Sequence, residues 1–114
     1  MTMTQDETGL PALQGEGDSP ATFIGPALDA AALTALTIRA LQRHAAFISD
    51  SGAARLVSVS SDITGTDFSG GEGKITLKVD RQTRTLLFIG AELTSTAGLH
   101  LRATAIFRLD AGTN

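Results

Sequence analysis

The fold is decided by residues 27–48, which read ALDAAALTALTIRALQRHAAFI and contain neither Gly nor Pro. Ala and Leu supply much of this run, and because both are strong helix formers it predicts one α-helix. Pro26 precedes the run, and Pro is well tolerated in a first helical turn because its missing N–H would lack a partner there. Twenty-two residues at 1.5 Å rise span roughly 33 Å, which is long enough to cross a small domain.

The first half of this helix is apolar on nearly all sides. Its only polar residues are Asp29, Thr34 and Thr37. A helix that is apolar all round is a buried one. Polar residues follow in the second half, and the segment 49–52, Ser-Asp-Ser-Gly, supplies a stop signal. The sequence thus predicts a buried central helix.

The chain beyond the helix changes its apolar period from 3.6 residues to two. Ile75, Leu77 and Val79 alternate with polar residues, which predicts a half-buried strand over residues 74–79. Four other segments carry strand patterns: 22–24, 56–63, 83–93 and 99–109. The links between the later strands are of hairpin size, whereas parallel strands would need crossover helices. We therefore expect an α+β fold, with an antiparallel sheet of about five strands curved round the single helix.

The alternation also assigns side chains to the two faces of the sheet. On the first strand after the helix, Val57, Val59 and Ile63 fall on the predicted buried face. On the last strand, Leu101 belongs to the predicted buried face and His100 to the exposed one.

Bulk composition narrows the classes of function. A chain of 114 residues suits one domain, and so small a domain covers its apolar surface poorly unless it associates, so we expect an oligomer. The chain has no Cys, and its two His lie far apart in sequence, so no metal site is predicted. Four of the 12 acids lie in the first 20 residues, which leaves 8 acids against 9 bases. That balance does not favour a nucleic-acid partner.

Residues 1–20 mix Thr, Gly, Pro and acids with few large apolar groups, so they predict a flexible tail before a single domain at 21–114. No uninterrupted apolar run of about 18 to 20 residues occurs, so no membrane partner is expected. The amino terminus carries acids where a secretory signal carries bases, which favours a cytoplasmic location.

Three strand sequences carry a resemblance to a known family: LVSVSSDI at 56–63, RQTRTLLFIGAEL at 81–93 and LRATAIF at 101–107. The chain resembles the hotdog-fold acyl-CoA thioesterase superfamily, especially its short bacterial phenylacetate-pathway branch, over about residues 22–109. The resemblance implies a dimer whose sheets join edge to edge, with dimers often pairing into tetramers. It also implies acyl-CoA as substrate, held at the dimer interface near the helix start, with coenzyme A as part of the substrate and no other cofactor.

The resemblance implies site residues at the helix start, where free N–H groups stabilise the oxyanion formed when a thioester carbonyl is attacked. Family members commonly carry a His-Gly-Gly run ahead of the helix. Ile24, Gly25 and Pro26 stand there in this chain and are predicted to bind substrate. The family acid lies about two turns into the helix, where this chain has Leu33. Asp29, the only carboxylate on the helix, is therefore the candidate nucleophile or general base.

The candidate residues each have a purely structural alternative. Asp29 suits a first helical turn, where an acid complements the helix dipole. Thr34 is predicted to orient a water, although a helical Thr more often bonds back to its own backbone. Arg81 and Arg84, with Thr83 between them, are predicted to bind the phosphates of coenzyme A, since guanidinium groups bind phosphate in bidentate geometry. Their alternative is ordinary solvated charge at a sheet edge.

Three functions stay open on the sequence. The first is hydrolysis of an acyl-CoA thioester by water that is activated at the helix start. The second is a non-catalytic hotdog module that binds acyl-CoA or another hydrophobic ligand. Two observations favour it: Leu33 replaces the acid, and Pro26 has no N–H to donate. The third is a structural oligomer.

Overall fold

The computed structural model describes residues 9–49 and 53–109. The elements in chain order are β1 (Ala21–Gly25), α1 (Ala30–Ile48), β2 (Ala54–Ile63), β3 (Gly71–Gln82), β4 (Leu86–Ser95) and β5 (Gly98–Leu109). The predicted α+β architecture, one helix with five strands, is confirmed. The helix in the described part of the chain lacks the combination of length and apolar character needed to cross a bilayer.

The five strands form one curved antiparallel sheet in the order β1-β3-β4-β5-β2. The helix packs against one face, because the inward side chains of alternating strand positions need an apolar cover. Leu36 and Leu41 of α1 are fully buried, as are Ile89 and Phe107 at the centre of the sheet. The core therefore lies between the helix and the middle strands, as the alternation predicts.

The helix begins three residues later than the composition predicts, at Ala30. Leu28 donates its N–H to the carbonyl oxygen of Phe68 at 3.2 Å, so the chain is still extended there. Asp29 is the N-cap, and its Oδ1 accepts the N–H of Ala32 at 2.9 Å. The backbone bridge between Leu28 and Phe68 and the side-chain cap at Asp29 together fix where the helix begins. Helix propensity could not predict this start, because the bridge is a contact between residues far apart in sequence.

Residues 9–20, which we call the strap, lie against the domain. Pro11 is fully buried, and the carbonyl oxygen of Gly17 accepts a hydrogen bond from His44 Nδ1 at 2.7 Å. The strap therefore packs against the predicted domain 21–114, although the sequence placed a domain boundary at residue 20. Leu10 and Leu13, which are partly buried against the core, join Pro11 and the backbone hydrogen bonds in holding the strap. The rest of the predicted tail, residues 1–8, lies outside the described residues.

The edge strand β2 leaves three apolar side chains exposed in the single chain. We call Val57, Val59 and Ile63 the edge patch, and their exposed fractions are 56%, 36% and 55%. Val59 and Ile63 pair with Ala105 and Leu101, which are buried. The alternation in the sequence therefore assigned the side chains of Val59 and Ile63 to the correct face of the sheet. The predicted burial is wrong for the single chain, because an edge strand has no neighbour on its outer side.

Candidate functional site

A cleft of about 170 Å³ opens at the start of α1, and we call it the helix-start cleft. Three parts of the chain meet there: the first turn of the helix, the segment after β2 and the beginning of β5. Its walls include Asp29, Leu33, Ile63, Phe68 and His100. The cleft thus joins a predicted site residue, Asp29, to the edge patch through Ile63.

Asp29 accepts hydrogen bonds directly from the first turn of the helix. Its Oδ1 takes the N–H of Ala32, and its carbonyl oxygen accepts the first helical bond, from Leu33 at 3.0 Å. The N–H groups of Ala30 and Ala31 have no acceptor within the helix, because the opening turn of any α-helix lacks them. This end of the cleft therefore offers a carboxylate beside amide groups that attract negative charge. The role of Asp29 as base or nucleophile stays a prediction.

The other residues predicted at the helix start lie beside the cleft. Ile24 is 57% exposed, and Pro26 is an exposed turn residue between β1 and the helix. Gly25 lies so close to the strap that a Cβ there would come 2.6 Å from Pro11 Cγ. Thr34 donates its hydroxyl to the carbonyl oxygen of Ala30 at 2.7 Å, which is the structural alternative given above. These four residues are not among the walls of the helix-start cleft.

The basic residues predicted to bind phosphate lie at the opposite end of the sheet. Gly25 pairs with Gly71, at the start of β3, whereas Arg81 lies ten residues further along that strand. At the usual rise per strand residue this separation is about 30 Å. Arg84 belongs to the turn after β3, which Thr83 orders by donating its N–H to the Leu86 carbonyl oxygen at 2.8 Å. Within one chain the structure does not bring these residues to the helix start.

His100 is the cleft residue that sequence reasoning missed. It is predicted to be exposed and is only 1% exposed. Leu93 pairs with Leu101 and Thr94 with Leu99, so His100 is the extra residue of a β-bulge. A bulge re-aims a side chain, which breaks the alternation at that point. No pattern in the sequence marks the bulge.

The buried ring of His100 has a partner at each nitrogen. Nδ1 lies 2.8 Å from the carbonyl oxygen of Thr66, and Nε2 lies 2.6 Å from Ser95 Oγ. A carbonyl oxygen only accepts, so Nδ1 carries a proton and donates it to Thr66, while Ser95 Oγ is the partner of Nε2. Phe68 lies edge-on to the ring, with centroids 5.6 Å apart. These contacts offset the cost of burying a polar ring.

The helix-start cleft combines polar groups with apolar walls from Leu33, Ile63 and Phe68. Such a combination suits a small acyl group whose carbonyl oxygen meets the amide end of the helix. Ligand pockets usually measure about 300 Å³ or more, so the cleft of one chain suits only a short group. Within residues 9–49 and 53–109, no three His, Cys, Asp or Glu side chains are placed to hold a metal ion.

Comparison with known proteins gives matches among solved structures only. No protein-family model and no curated protein sequence matches the chain. A single-residue variant of PaaI, a phenylacetic acid degradation protein from Thermus thermophilus, is 15% identical with a TM-score of 0.70, over 86% of this chain and 91% of that one. The BH2602 protein of Bacillus halodurans, solved with CoA, is 12% identical with a TM-score of 0.72, over 84% and 70%.

A third similar structure is a single-residue variant of a thioesterase enzyme from Staphylococcus aureus. It is 10% identical, with a TM-score of 0.72 over 85% of this chain and 90% of that one. At such identities the likeness speaks for the arrangement of the backbone and not for the chemistry. The chain therefore has the hotdog fold of these thioesterase and phenylacetic acid degradation proteins, as the resemblance in its strands predicts.

Proposed function

We propose that the protein hydrolyses a short acyl-CoA thioester in the helix-start cleft, at an interface between two copies of the chain. The observation that carries the proposal is the meeting of the Asp29 carboxylate with the open first turn of α1 inside an apolar-walled cleft. The shared fold with a thioesterase enzyme and with a CoA-bound protein supports the choice of substrate.

The proposed reaction uses the two chemical features of the helix start. The thioester carbonyl oxygen accepts from the N–H groups of Ala30 and Ala31, which stabilise the negative charge that develops there. Asp29 takes a proton from a water as that water attacks the carbonyl carbon. The C–S bond then breaks, the thiolate of coenzyme A takes up the proton that Asp29 holds, and the acid product leaves, which returns Asp29 to its carboxylate form.

The edge patch supports an interface at this site. An edge strand with exposed apolar side chains is a template for pairing with another chain, and two-fold pairing uses the same edge from both copies. Ile63 belongs both to the edge patch and to the helix-start cleft, so a second copy on β2 would also bound the cleft. The proposed assembly is therefore a dimer, with a dimer of dimers as its larger form.

Antiparallel pairing of two β2 edges also provides a role for Arg81 and Arg84, the basic residues that lie far from the helix start of their own chain. It would bring the far end of the partner's sheet alongside this chain's helix start. Arg81 and Arg84 of one copy would then face the site of the other, and not their own helix start about 30 Å away. We propose that they receive the phosphates of coenzyme A there, with Thr83 holding their turn.

The test is release of free thiol from a panel of short, medium-length and aryl acyl-CoAs. We expect turnover to be fastest with the short acyl groups, because the cleft of one chain is about 170 Å³. No turnover above the buffer rate across the whole panel would overturn the proposal.

A second candidate is a non-catalytic module that binds acyl-CoA or another hydrophobic ligand. The specific observation in its favour is that Asp29 already caps the helix through Oδ1, while Leu33 presents an apolar wall to the cleft. Saturable binding of CoA thioesters without thiol release would select this candidate.

A further inference from the structure

The sheet has an outer face, which lies away from the helix, and a groove opens on that face where β3 and β5 end. Phe88 alternates along β4 with the buried residues Leu87 and Ile89, so its side chain points outward and is half-buried. Together with Arg81 and Ile106 it lines the groove, which measures about 310 Å³. We call it the outer groove. This volume lies at the lower end of the range for small-molecule pockets, roughly 300–1,000 Å³.

The floor of the outer groove is apolar and carries a cation at its side. Phe88 pairs with Ile106 on one neighbouring strand and with Arg81 on the other. Neighbouring strands lie about 4.8 Å apart, so these three side chains form one row across the outer face. A flat base stacks on an aromatic ring, and a guanidinium group beside the ring attracts a phosphate. The row therefore suits a ligand that combines a planar base with negative charge.

Two further arginines stand directly opposite each other at the same end of the sheet. Arg55 of β2 pairs with Arg108 of β5, and both side chains are exposed. Like charges directly opposite on neighbouring strands destabilise a sheet. Within residues 9–49 and 53–109, neither arginine forms an ion pair with an acid. A bound phosphate would offset the repulsion, because guanidinium groups bind phosphate in bidentate geometry.

From this juxtaposition we infer that the outer groove binds a purine nucleotide, with its base on Phe88 and its phosphates on the neighbouring arginines. These are Arg55, Arg81 and Arg108. Arg108 lies two residues beyond Ile106 on the same face, which is about 7 Å along the strand. The inference needs no part of the helix-start cleft. It rests on the proposed function only where the nucleotide is that of coenzyme A, and there it names the place of the substrate's base.

The opposite wall of the outer groove supplies a hydrogen-bond acceptor. Asp80 lines the groove, and its Oδ2 would lie 3.2 Å from a Cβ added at Gly90, so the carboxylate reaches over that glycine. Gly90 lies at the level of Thr104 on β5, four residues before Arg108. The negative charge is thus kept apart from the end where the phosphates would bind. A carboxylate in this position accepts a hydrogen bond from a ribose hydroxyl or from the amino group of a base.

The experiment is isothermal titration of the whole chain with adenosine 3′,5′-bisphosphate and, separately, with ADP. The first carries the phosphate positions of the nucleotide in coenzyme A, and the second carries those of a free nucleotide. We expect saturable binding to a single class of sites, and the tighter ligand identifies which source the groove serves. Inorganic pyrophosphate should bind at least about tenfold more weakly than that ligand, because it has no base to stack on Phe88. Absence of saturable binding of both nucleotides, or equally tight binding of pyrophosphate, would overturn the inference.

Variants of the two opposed arginines locate the site. Arg55→Gln and Arg108→Gln should each weaken nucleotide binding about tenfold or more, since each removes charge-assisted hydrogen bonds to phosphate. Neither should lower the melting temperature, because each also removes the repulsion between like charges. Arg102→Gln is the matched control. It lies on the same strand and face as Arg108 but about 20 Å away, and its exposed ion pair with Glu92 contributes little to stability.

The control variant should bind the nucleotide as the wild-type chain does. Equal weakening in all three variants would overturn the placement, because it would report the net charge of the protein and not a site. Thiol release from acyl-CoAs without binding of either nucleotide would contradict this inference alone. Nucleotide binding without thiol release would contradict the proposed function alone.

Discussion

The Nδ1 atom of His44 lies 2.7 Å from the carbonyl oxygen of Gly17, so a buried side chain of the central helix holds the strap. Arg43 makes a second link of the same kind, donating from Nη2 to the Gly15 carbonyl oxygen at 2.6 Å. Gly17 also fits tightly, since a Cβ there would lie 2.9 Å from Phe47 Cβ. The helix thus serves as core on one side and as the anchor of the strap on another.

His44→Ala is expected to lower the free energy of unfolding by about 1–3 kcal/mol, because the buried Gly17 carbonyl group loses its donor. Amide hydrogen exchange should also speed up across the strap. Gln42→Ala, an exposed position on the same helix, is the control and should change neither quantity appreciably. Equal exchange of the strap in both variants would show that His44 does not hold it.

Gly73→Ala is expected to destabilise the domain by about 1–3 kcal/mol or more, because the new Cβ would collide with the buried ring of Phe23. Gly90→Ala provides a matched control within the same sheet. Its Cβ would meet Asp80 Oδ2 at 3.2 Å, and that is the far end of an exposed side chain that can move aside. Chemical denaturation of both variants measures the contrast, and similar losses would contradict the fit of Phe23 over Gly73.

Val59→Lys is expected to weaken self-association at least tenfold, because it introduces a charge at the centre of the edge patch. Sedimentation velocity across a concentration series measures the effect. Ile24→Lys is the control, since Ile24 is similarly apolar and exposed but lies on β1 at the other edge of the sheet. If the Ile24 variant dissociates and the Val59 variant does not, the interface lies elsewhere.

The Asp29 variants separate capping from chemistry. Asp29→Asn keeps a capping oxygen, so its stability should stay near wild type, whereas Asp29→Ala should cost about 1 kcal/mol. If Asp29 is the base, both variants lose thioester hydrolysis by 100-fold or more. Thermal unfolding and thiol release, measured on the same preparations, check both effects. Full hydrolysis by the Asn variant would exclude Asp29 as the base.

The helix and the strands could be predicted because their signals are local. Residues 30–48 carry strong helix formers, and the alternation at Ile75, Leu77 and Val79 reports one face of β3. The antiparallel direction of the strands could be predicted from the short connections between them, because parallel neighbours would need a crossover helix. These features need no knowledge of distant contacts.

The details of the site could not be predicted because they depend on distant contacts. The helix start is set by the bridge between Leu28 and Phe68, which are forty residues apart in sequence. His100 turns inward because of a bulge against β4, and alternation alone places it outside. The packing of the strap depends on Gly17 meeting His44, and composition gives no sign of that pair.

The strap has a consequence for how large an assembly can become. Ser19 Oγ accepts the N–H of Leu77 at 2.9 Å, on β3 just beyond the last residue that β1 pairs with, and Gln14 forms a backbone bridge with Thr22 of β1. One rim of the sheet is thus partly occupied by the chain's own amino-terminal arm, whereas no strand or arm among residues 9–49 and 53–109 pairs with the outer side of β2 at the other rim. If β2 is the interface proposed above, strand addition at that single rim would end after one two-fold partner has docked, so we expect pairing through β2 to close and not to continue into fibrils.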